Sequence, residues 1–355
     1  MSESELVSSD VLRARSRDLE ALSVPGNLFT LNEGMMRCSA CAHRCVLDEG
    51  SGGACKIRIR RGDELRVPFG YVARRYVRPV ETNTLYHVRP GASALTFGMY
   101  GCDLRCPYCH NFKVSQALRD PVAGGPVQVV TAEALVDDAV RAGCGVVCAA
   151  YNEPMLTAEW AHAVFSRARA RGLVTALVTD GHSTPEAVEF MRPVTDVFRV
   201  DLKGFNEAQY RSLGGRLQPV MDSIALAKQL GYWVEVVTLV VPGFNDDARG
   251  LRFLGDAIRA VDPAIPWHLN AFQPRYRMAD RPAMGSGALF QYASSAYARG
   301  LSFVYVGNVT SDTFSTTRCP ACHTSVVERH DWQAVKVTVA DGACPTCGFR
   351  LPGVW

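Results

Sequence analysis

The placement of cysteine constrains this chain more than any other feature of its sequence. Thirteen cysteines occur in 355 residues, and eleven of them fall into three groups. Cys38, Cys41, Cys45 and Cys55 form the first, Cys102, Cys106 and Cys109 the second, and Cys319, Cys322, Cys344 and Cys347 the third. Cys144 and Cys148 lie in the apolar run GCGVVCAAY and read as small buried core residues. The N-terminus, MSESELVSSD, carries two Glu and one Asp and has no apolar h-region, so it does not read as a secretory signal. No apolar run reaches the length of a bilayer span. These features predict a cytoplasmic protein with no membrane partner. Thiols stay reduced there, so clustered cysteines read as metal ligands and not as disulfides.

The bulk properties exclude little else. The chain is 48% hydrophobic and 21% charged, ordinary values for a globular protein. A net charge of +3 gives no global field for nucleic acid. Two basic stretches, Lys56 to Arg61 and Arg74 to Arg78, read either as solvated faces or as a docking patch for an acidic electron carrier.

From about residue 93 the pattern alternates. Strands are expected over 94–99, 145–150, 173–179, 197–201, 233–241, 267–272 and 302–306. Helices are expected over 132–142, with Thr131 as N-cap, then 158–171, from 185, 219–230, 247–261 and 287–299. Such alternation implies an α/β fold with a parallel sheet, and about six β/α units suit a complete or partial TIM barrel. No G-x-G-x-x-G or Walker A pattern follows a strand, which argues against a nucleotide-binding doubly wound sheet. Special residues recur just after strand ends: Cys102 to Cys109, Asn152–Glu153, Asp180 to His182, Asp201 to Lys203, Pro242 to Asn245 and Asn270 to Gln273. Barrel active sites are built at that face. The expected division is a Cys-rich N-terminal module over 1–75, a barrel over 76–312 and a zinc-ribbon-like module over 313–355.

Gly101-Cys-Asp-Leu-Arg-Cys-Pro-Tyr-Cys-His110 contains C-x3-C-x2-C, with Tyr108 before the third cysteine. Three thiolates hold three irons of a 4Fe–4S cluster and leave the fourth open. The amino and carboxylate groups of S-adenosylmethionine (SAM) can chelate that iron. An electron from the cluster then breaks the sulfonium C–S bond and gives a 5′-deoxyadenosyl radical, which abstracts hydrogen from C–H bonds. The spacing is the radical SAM signature; three close cysteines with a remote ligand also suit zinc. Asn152 and Glu153 are expected to meet the methionine ammonium. Lys203 suits the methionine carboxylate, with Asp201 fixing Lys203 or the ribose. A surface salt bridge is the plainer reading of that pair. The backbone of Val241 to Asn245 either flanks adenine or simply turns.

Residues 37–355 resemble the radical SAM protein of the AmmeMemoRadiSam system, a group related to pyruvate formate-lyase activating enzymes. The matching elements are Cys38-x2-Cys41-x3-Cys45-x9-Cys55, Leu85-Tyr-His87 with Pro90-Gly91, the Cys102–Cys109 motif, Tyr151-Asn-Glu-Pro154, Asp201-Leu-Lys-Gly-Phe205, Glu235 to Asn245, Pro266-Trp-His268, Tyr305 to Asn308 and the terminal CPxC pair. The resemblance implies a radical SAM partial TIM barrel, one SAM, one catalytic cluster, and flavodoxin or ferredoxin as electron donor. It also implies partnership with Memo-like and AMMECR-like proteins. Three positions depart from the family pattern: Thr82-Asn83-Thr84 where lysines and a proline are usual, Asp180 where Asn is usual, and His110 where Gln is common. Either these mark a different substrate or they are neutral.

Cys319-Pro-Ala-Cys322 and Cys344-Pro-Thr-Cys347 read as a zinc ribbon, since paired CPxC turns present four thiolates tetrahedrally; rubredoxin-like iron uses the same geometry. Cys38, Cys41, Cys45 and Cys55 read as a second zinc clamp or as an auxiliary iron–sulfur cluster. His87 and His268 read as satisfied structural histidines, or as acid/base groups at the mouth. The functional expectation is hydrogen abstraction from a small molecule or peptide. The alternatives are an activase acting on a protein glycine and a non-catalytic zinc-binding adaptor.

Overall fold

The structure, a computed structural model, describes residues 3–355. Eight strands form the central sheet: β1 (Arg74–Pro79), β2 (Ser93–Gly98), β3 (Cys144–Ala149), β4 (Val174–Thr179), β5 (Val197–Asp201), β6 (Trp233–Val240), β7 (Trp267–Ala271) and β8 (Val304–Gly307). They lie side by side in sequence order. Strands β2 to β8 are parallel, while β1 runs antiparallel to β2. The edges β1 and β8 do not pair, so the barrel is partial.

The crossover helices are α1 (Ala132–Arg141), α2 (Ala158–Ala170), α3 (Pro185–Met191), α4 (Leu217–Gln229), α5 (Ala248–Val261) and α6 (Ser286–Ala298). Their starts follow from side-chain caps. Thr131 accepts from Ala134 N–H, Thr184 from Ala187 N–H and Asp247 from Gly250 N–H. Each cap satisfies an amide that the helix cannot, worth about 1 kcal/mol. The strands are apolar on both faces, as β6 (WVEVVTLV) shows, because helices cover one side and the barrel interior the other. Strand β1 was not legible as a strand: RRYVRP looks like a charged surface, and only its pairing with β2 reveals it.

Before the barrel, the helix Glu3–Ala21 leads into two small antiparallel sheets. One pairs Ser23–Pro25, Glu64–Pro68 and Ile59–Arg61, and the other Phe29–Asn32, Met35–Cys38 and Val46–Leu47. Arg58 anchors this region to α2 through a bidentate pair with Glu159 at 2.8 Å, both side chains being buried. The basic stretch is therefore largely committed. Arg60 donates to the carbonyls of Gly34, Leu47 and Gly62, and Arg61 pairs with Glu20 and Glu49.

After the barrel, a three-stranded ribbon (Thr317–Arg318, Ser325–His330, Gln333–Val337) lies across the open seam. On the β8 side, a Cβ at Gly307 would come within 2.8 Å of Trp332; on the other, a Cβ at Gly91 would lie 3.6 Å from Ala334. Arg329 is the buried cation of this joint. It donates to Tyr86 O, Ser315 O and Thr317 Oγ1, lies 4.1 Å over the Tyr86 ring, and stands 3.8 Å from Glu81. His87 bonds Tyr305 Oη (2.7 Å) and Pro352 O (2.8 Å), and His268 bonds Glu235 (2.7 Å). Both histidines are thus satisfied in the core. Burial would raise the Glu235 pKa, but the hydrogen bond from His268 overrides it, helped by the amides of Tyr86 and His87, and brings it to about 2. No helix among the described residues is long and apolar enough to cross a membrane.

Candidate active site

The loop after β2 carries the three central cysteines. Two close approaches set it. A Cβ at Gly98 would come within 2.3 Å of Ala150 O, and Gly101 holds φ +103°, so both positions exclude larger residues. Met99 N–H donates to Asn152 Oδ1 (2.9 Å), and Glu153 N–H to Gly101 O (3.3 Å). The YNEP turn after β3 therefore pins the start of the cysteine loop. Tyr151 there adopts φ +73°, a left-handed conformation unusual for an aromatic residue.

Cys106, Tyr108 and Cys109 line a cavity of about 450 Å³ at the C-terminal mouth, together with Asp201, Lys203 and Trp332. Thr82, Thr84 and His110 also line it, so two of the three departures from the family pattern face this cavity. The third, Asp180, lies within 4.8 Å of Cys102 and Asp103. Burial raises the pKa of all three thiols, that of Cys106 to about 12. Ligation to a metal must therefore drive the proton off.

Behind Cys102 sit three buried carboxylates. Glu153 accepts from Thr179 Oγ1 (2.7 Å), Met155 N (3.0 Å) and Asp180 N (2.7 Å), tying the ends of β3 and β4 together. Its carboxyl is pushed well up by burial and by the fields of Asp180 and Asp103. Asp180 rises to about 7, first through burial and then through Asp103. Asp103 escapes this trend: burial would raise it, but His182 Nδ1 at 2.8 Å brings it down. With no cation beside them, Glu153 and Asp180 are driven toward their neutral, protonated forms, while Asp103 keeps its charge against His182.

In the same cavity Lys203 Nζ lies 3.1 Å from Asp201, which also pairs with Arg199 at 2.5 Å. Burial disfavours the ammonium, but Asp201 and then Cys106 reverse this and hold it protonated. Asn245 locks the next loop to this one, donating to Lys203 O and Leu239 O (2.9 Å each) and accepting from Val241 N (2.7 Å). Tyr108 Oη, Arg199 Nε and Asn270 Oδ1 are buried with no hydrogen-bond partner. Orphaned polar atoms beside a cavity, with clustered carboxyls and thiols that could ligate a metal, fit a bound polar cofactor.

Sequence reasoning missed Arg199, Trp332 and the His43–Asp103–His182 triad, whose ligand atoms lie within 4.8 Å of one another. An arginine inside the apolar strand VFRVD was the available signal for Arg199; the triad joins residues too far apart in sequence to signal itself. In the ribbon, Cys319–Cys347 and Cys322–Cys344 Sγ separations are both 3.6 Å, and all four thiols lie within 4.8 Å. Thiolates around one tetrahedral ion at about 2.3 Å stand roughly that far apart. The site fits a single metal ion. None of the thirteen cysteines forms a disulfide.

The family model described as the Radical SAM superfamily matches residues 97–252. Uncharacterized protein MJ0808 of Methanocaldococcus jannaschii is 30% identical over 325 residues, covering 90% of this chain and 96% of that one. The chain belongs to the radical SAM superfamily and is an enzyme of that class, which implies a 4Fe–4S cluster and SAM. Pyruvate formate-lyase 1-activating enzyme of Escherichia coli K12 is 31% identical over 196 residues, 50% of this chain and 75% of that enzyme. A radical SAM methyltransferase from Sphaerobacter thermophilus superposes with TM-score 0.48 at 13% identity, over 82% of this chain and 80% of that one.

Proposed function

We propose that this chain cleaves SAM reductively and directs hydrogen abstraction at a small molecule or peptide held in the barrel mouth. The cofactor, a 4Fe–4S cluster with chelated SAM, supplies the one-electron scission of the sulfonium bond and so the 5′-deoxyadenosyl radical. Cys102, Cys106 and Cys109 supply the thiolates. Asp180 meets the methionine ammonium, with Asn152 and Glu153 fixing the loops on which it rides. Lys203 meets the methionine carboxylate, and Asp201 orients Lys203. Tyr108 and the Val241–Asn245 turn wall the adenosine side. The carrying observation is the cluster of buried carboxyls beside Cys102, of which Glu153 and Asp180 titrate high for want of a cation, so that the amino group of SAM placed there would restore their charge.

Trp332 on the cavity wall narrows the mouth, which favours a small molecule or peptide over a folded protein loop. The likeness to pyruvate formate-lyase activating enzymes supports a second reading, activation of a protein glycine. We assign the AmmeMemoRadiSam resemblance as the biological setting, with Memo-like and AMMECR-like partners, flavodoxin or ferredoxin as donor, zinc in the ribbon and the cytoplasm as the compartment. Anaerobically reconstituted protein with dithionite should release deoxyadenosine and methionine from SAM, and Cys106→Ala should abolish this. Zinc alone with no SAM cleavage would establish the adaptor instead. A radical formed on a partner glycine would establish the activase.

A further inference from the structure

The two cysteine quartets differ in how their sulfurs are spaced. The ribbon sulfurs all lie within 4.8 Å of one another, as thiolates around one ion do. Among the described residues, no three sulfurs of the N-terminal quartet meet that limit. The quartet converges nonetheless. Cys38 and Cys45 face each other across a hairpin, Cys38 N–H donating to Cys45 O at 2.9 Å. Ala54 N–H points at Cys45 Sγ at 3.3 Å, which sets Cys45 beside Cys55. Cys38, Cys41 and Cys55 lie near enough that the Cys41 thiol feels the fields of Cys55 and Cys38, and the Cys55 thiol that of Cys38. The three barrel thiols also exceed the tight limit. A cluster demands this wider spacing, because each thiolate binds a different iron.

The quartet also lies directly behind the barrel's cysteine loop. A Cβ at Gly101 would come within 2.7 Å of Ile57 Cδ1, so Ile57 packs on the residue before Cys102. Arg119 donates to Ala54 O and, at 3.2 Å, to Leu104 O. One guanidinium thus joins the residue before Cys55 to the middle of the Cys102–Cys109 loop. Cys41 bridges to Ser183, and Ala42 N–H donates to His182 O at 2.9 Å. His182 in turn bonds Asp103, the neighbour of Cys102.

We propose that Cys38, Cys41, Cys45 and Cys55 hold an auxiliary iron–sulfur cluster that relays electrons into the barrel. The relay role rests on the SAM-cleaving reading given above; the cluster assignment does not. A reduced one-electron carrier, flavodoxin or ferredoxin, loses one electron. The auxiliary cluster takes it and passes it on to the barrel site, where scission of the sulfonium C–S bond consumes it.

Metal analysis of the full chain after anaerobic reconstitution tests this. The expected content is about eight irons and about one zinc. About four irons and two zincs would overturn the proposal. The triple variant Cys102→Ala, Cys106→Ala, Cys109→Ala should keep about four irons and an electron paramagnetic resonance signal unmoved by SAM; zinc without iron in that variant would also overturn it. The variant Cys38→Ala, Cys45→Ala should keep a SAM-responsive signal but lose deoxyadenosine formation driven by flavodoxin. An undiminished flavodoxin-driven rate would overturn the relay. Wild-type protein with eight irons but no response to SAM would sink the SAM-cleaving reading and the relay, leaving the cluster in place.

Discussion

Two modules of four cysteines each flank the barrel, and they do different things to it. The C-terminal ribbon spans the seam between β8 and the β1–β2 side, and Trp332 and Arg329 reach from it into the joint. The N-terminal module leaves the seam alone and supports the back of the Cys102–Cys109 loop through Ile57 and Arg119. Both begin with C-x2-C. Sulfur spacing and packing partner separate them, and neither can be read from the motif. Four sulfurs near enough to share one ion would suit a rigid closure; a looser quartet behind the Cys102–Cys109 loop would suit the electron relay proposed above.

Several measurements can break or sharpen this contrast. The largest effect belongs to the ribbon metal. Losing it by Cys344→Ser should forfeit on the order of 10 kcal/mol of ribbon folding. Metal analysis should show one ion fewer, and limited proteolysis should newly cut between Thr317 and Val337. Unchanged resistance would mean the ribbon stands without metal.

Next comes the N-terminal anchor. Arg58→Met strands the buried Glu159 carboxylate and should cost about 3–5 kcal/mol in urea unfolding. A loss under about 1 kcal/mol, the size of a surface pair, would show the module to be loosely attached.

The seam should be acid-sensitive through named groups. Glu235 falls from 4.5 to about 2 on folding, so its stabilisation is present above pH 4.5 and lost as pH drops toward 2. His87 falls from 6.5 to about 4 through burial, so folding is penalised progressively between those values. Glu235→Gln should be less stable than wild type at pH 7 by roughly 1–3 kcal/mol. The gap should close below pH 4.5, and a constant gap would remove Glu235 from the account. The smallest effect is at Lys336–Glu328 on the ribbon surface, where Lys336→Gln should cost roughly 0–1 kcal/mol.

Much of this was legible in the chain. Alternating apolar strands and capped helices fixed the parallel sheet and where its mouth lies, because period and capping are local. The three cysteine groups were visible as spacing. The closing of the seam was not, since it depends on Trp332 meeting Gly307 and Ala334 meeting Gly91 across distant segments. Glu153 showed the limit most clearly. Its YNEP context suggested direct contact with SAM, and nothing local in that motif shows that its oxygens also accept from Thr179, Met155 and Asp180 and so tie two strand ends together. Asp180, expected at the cofactor from its place after a strand end and noted as a departure from the family pattern, lies beside Cys102.

The central claim is that Cys102, Cys106 and Cys109 leave one iron open to SAM. Electron paramagnetic resonance of the reduced Cys38→Ala, Cys45→Ala protein, recorded before and after SAM is added, tests it with only the barrel site in view. A signal that changes shape on SAM addition and is absent when Cys106→Ala is added is the predicted result. A signal indifferent to SAM, or one that survives loss of Cys106, would contradict it.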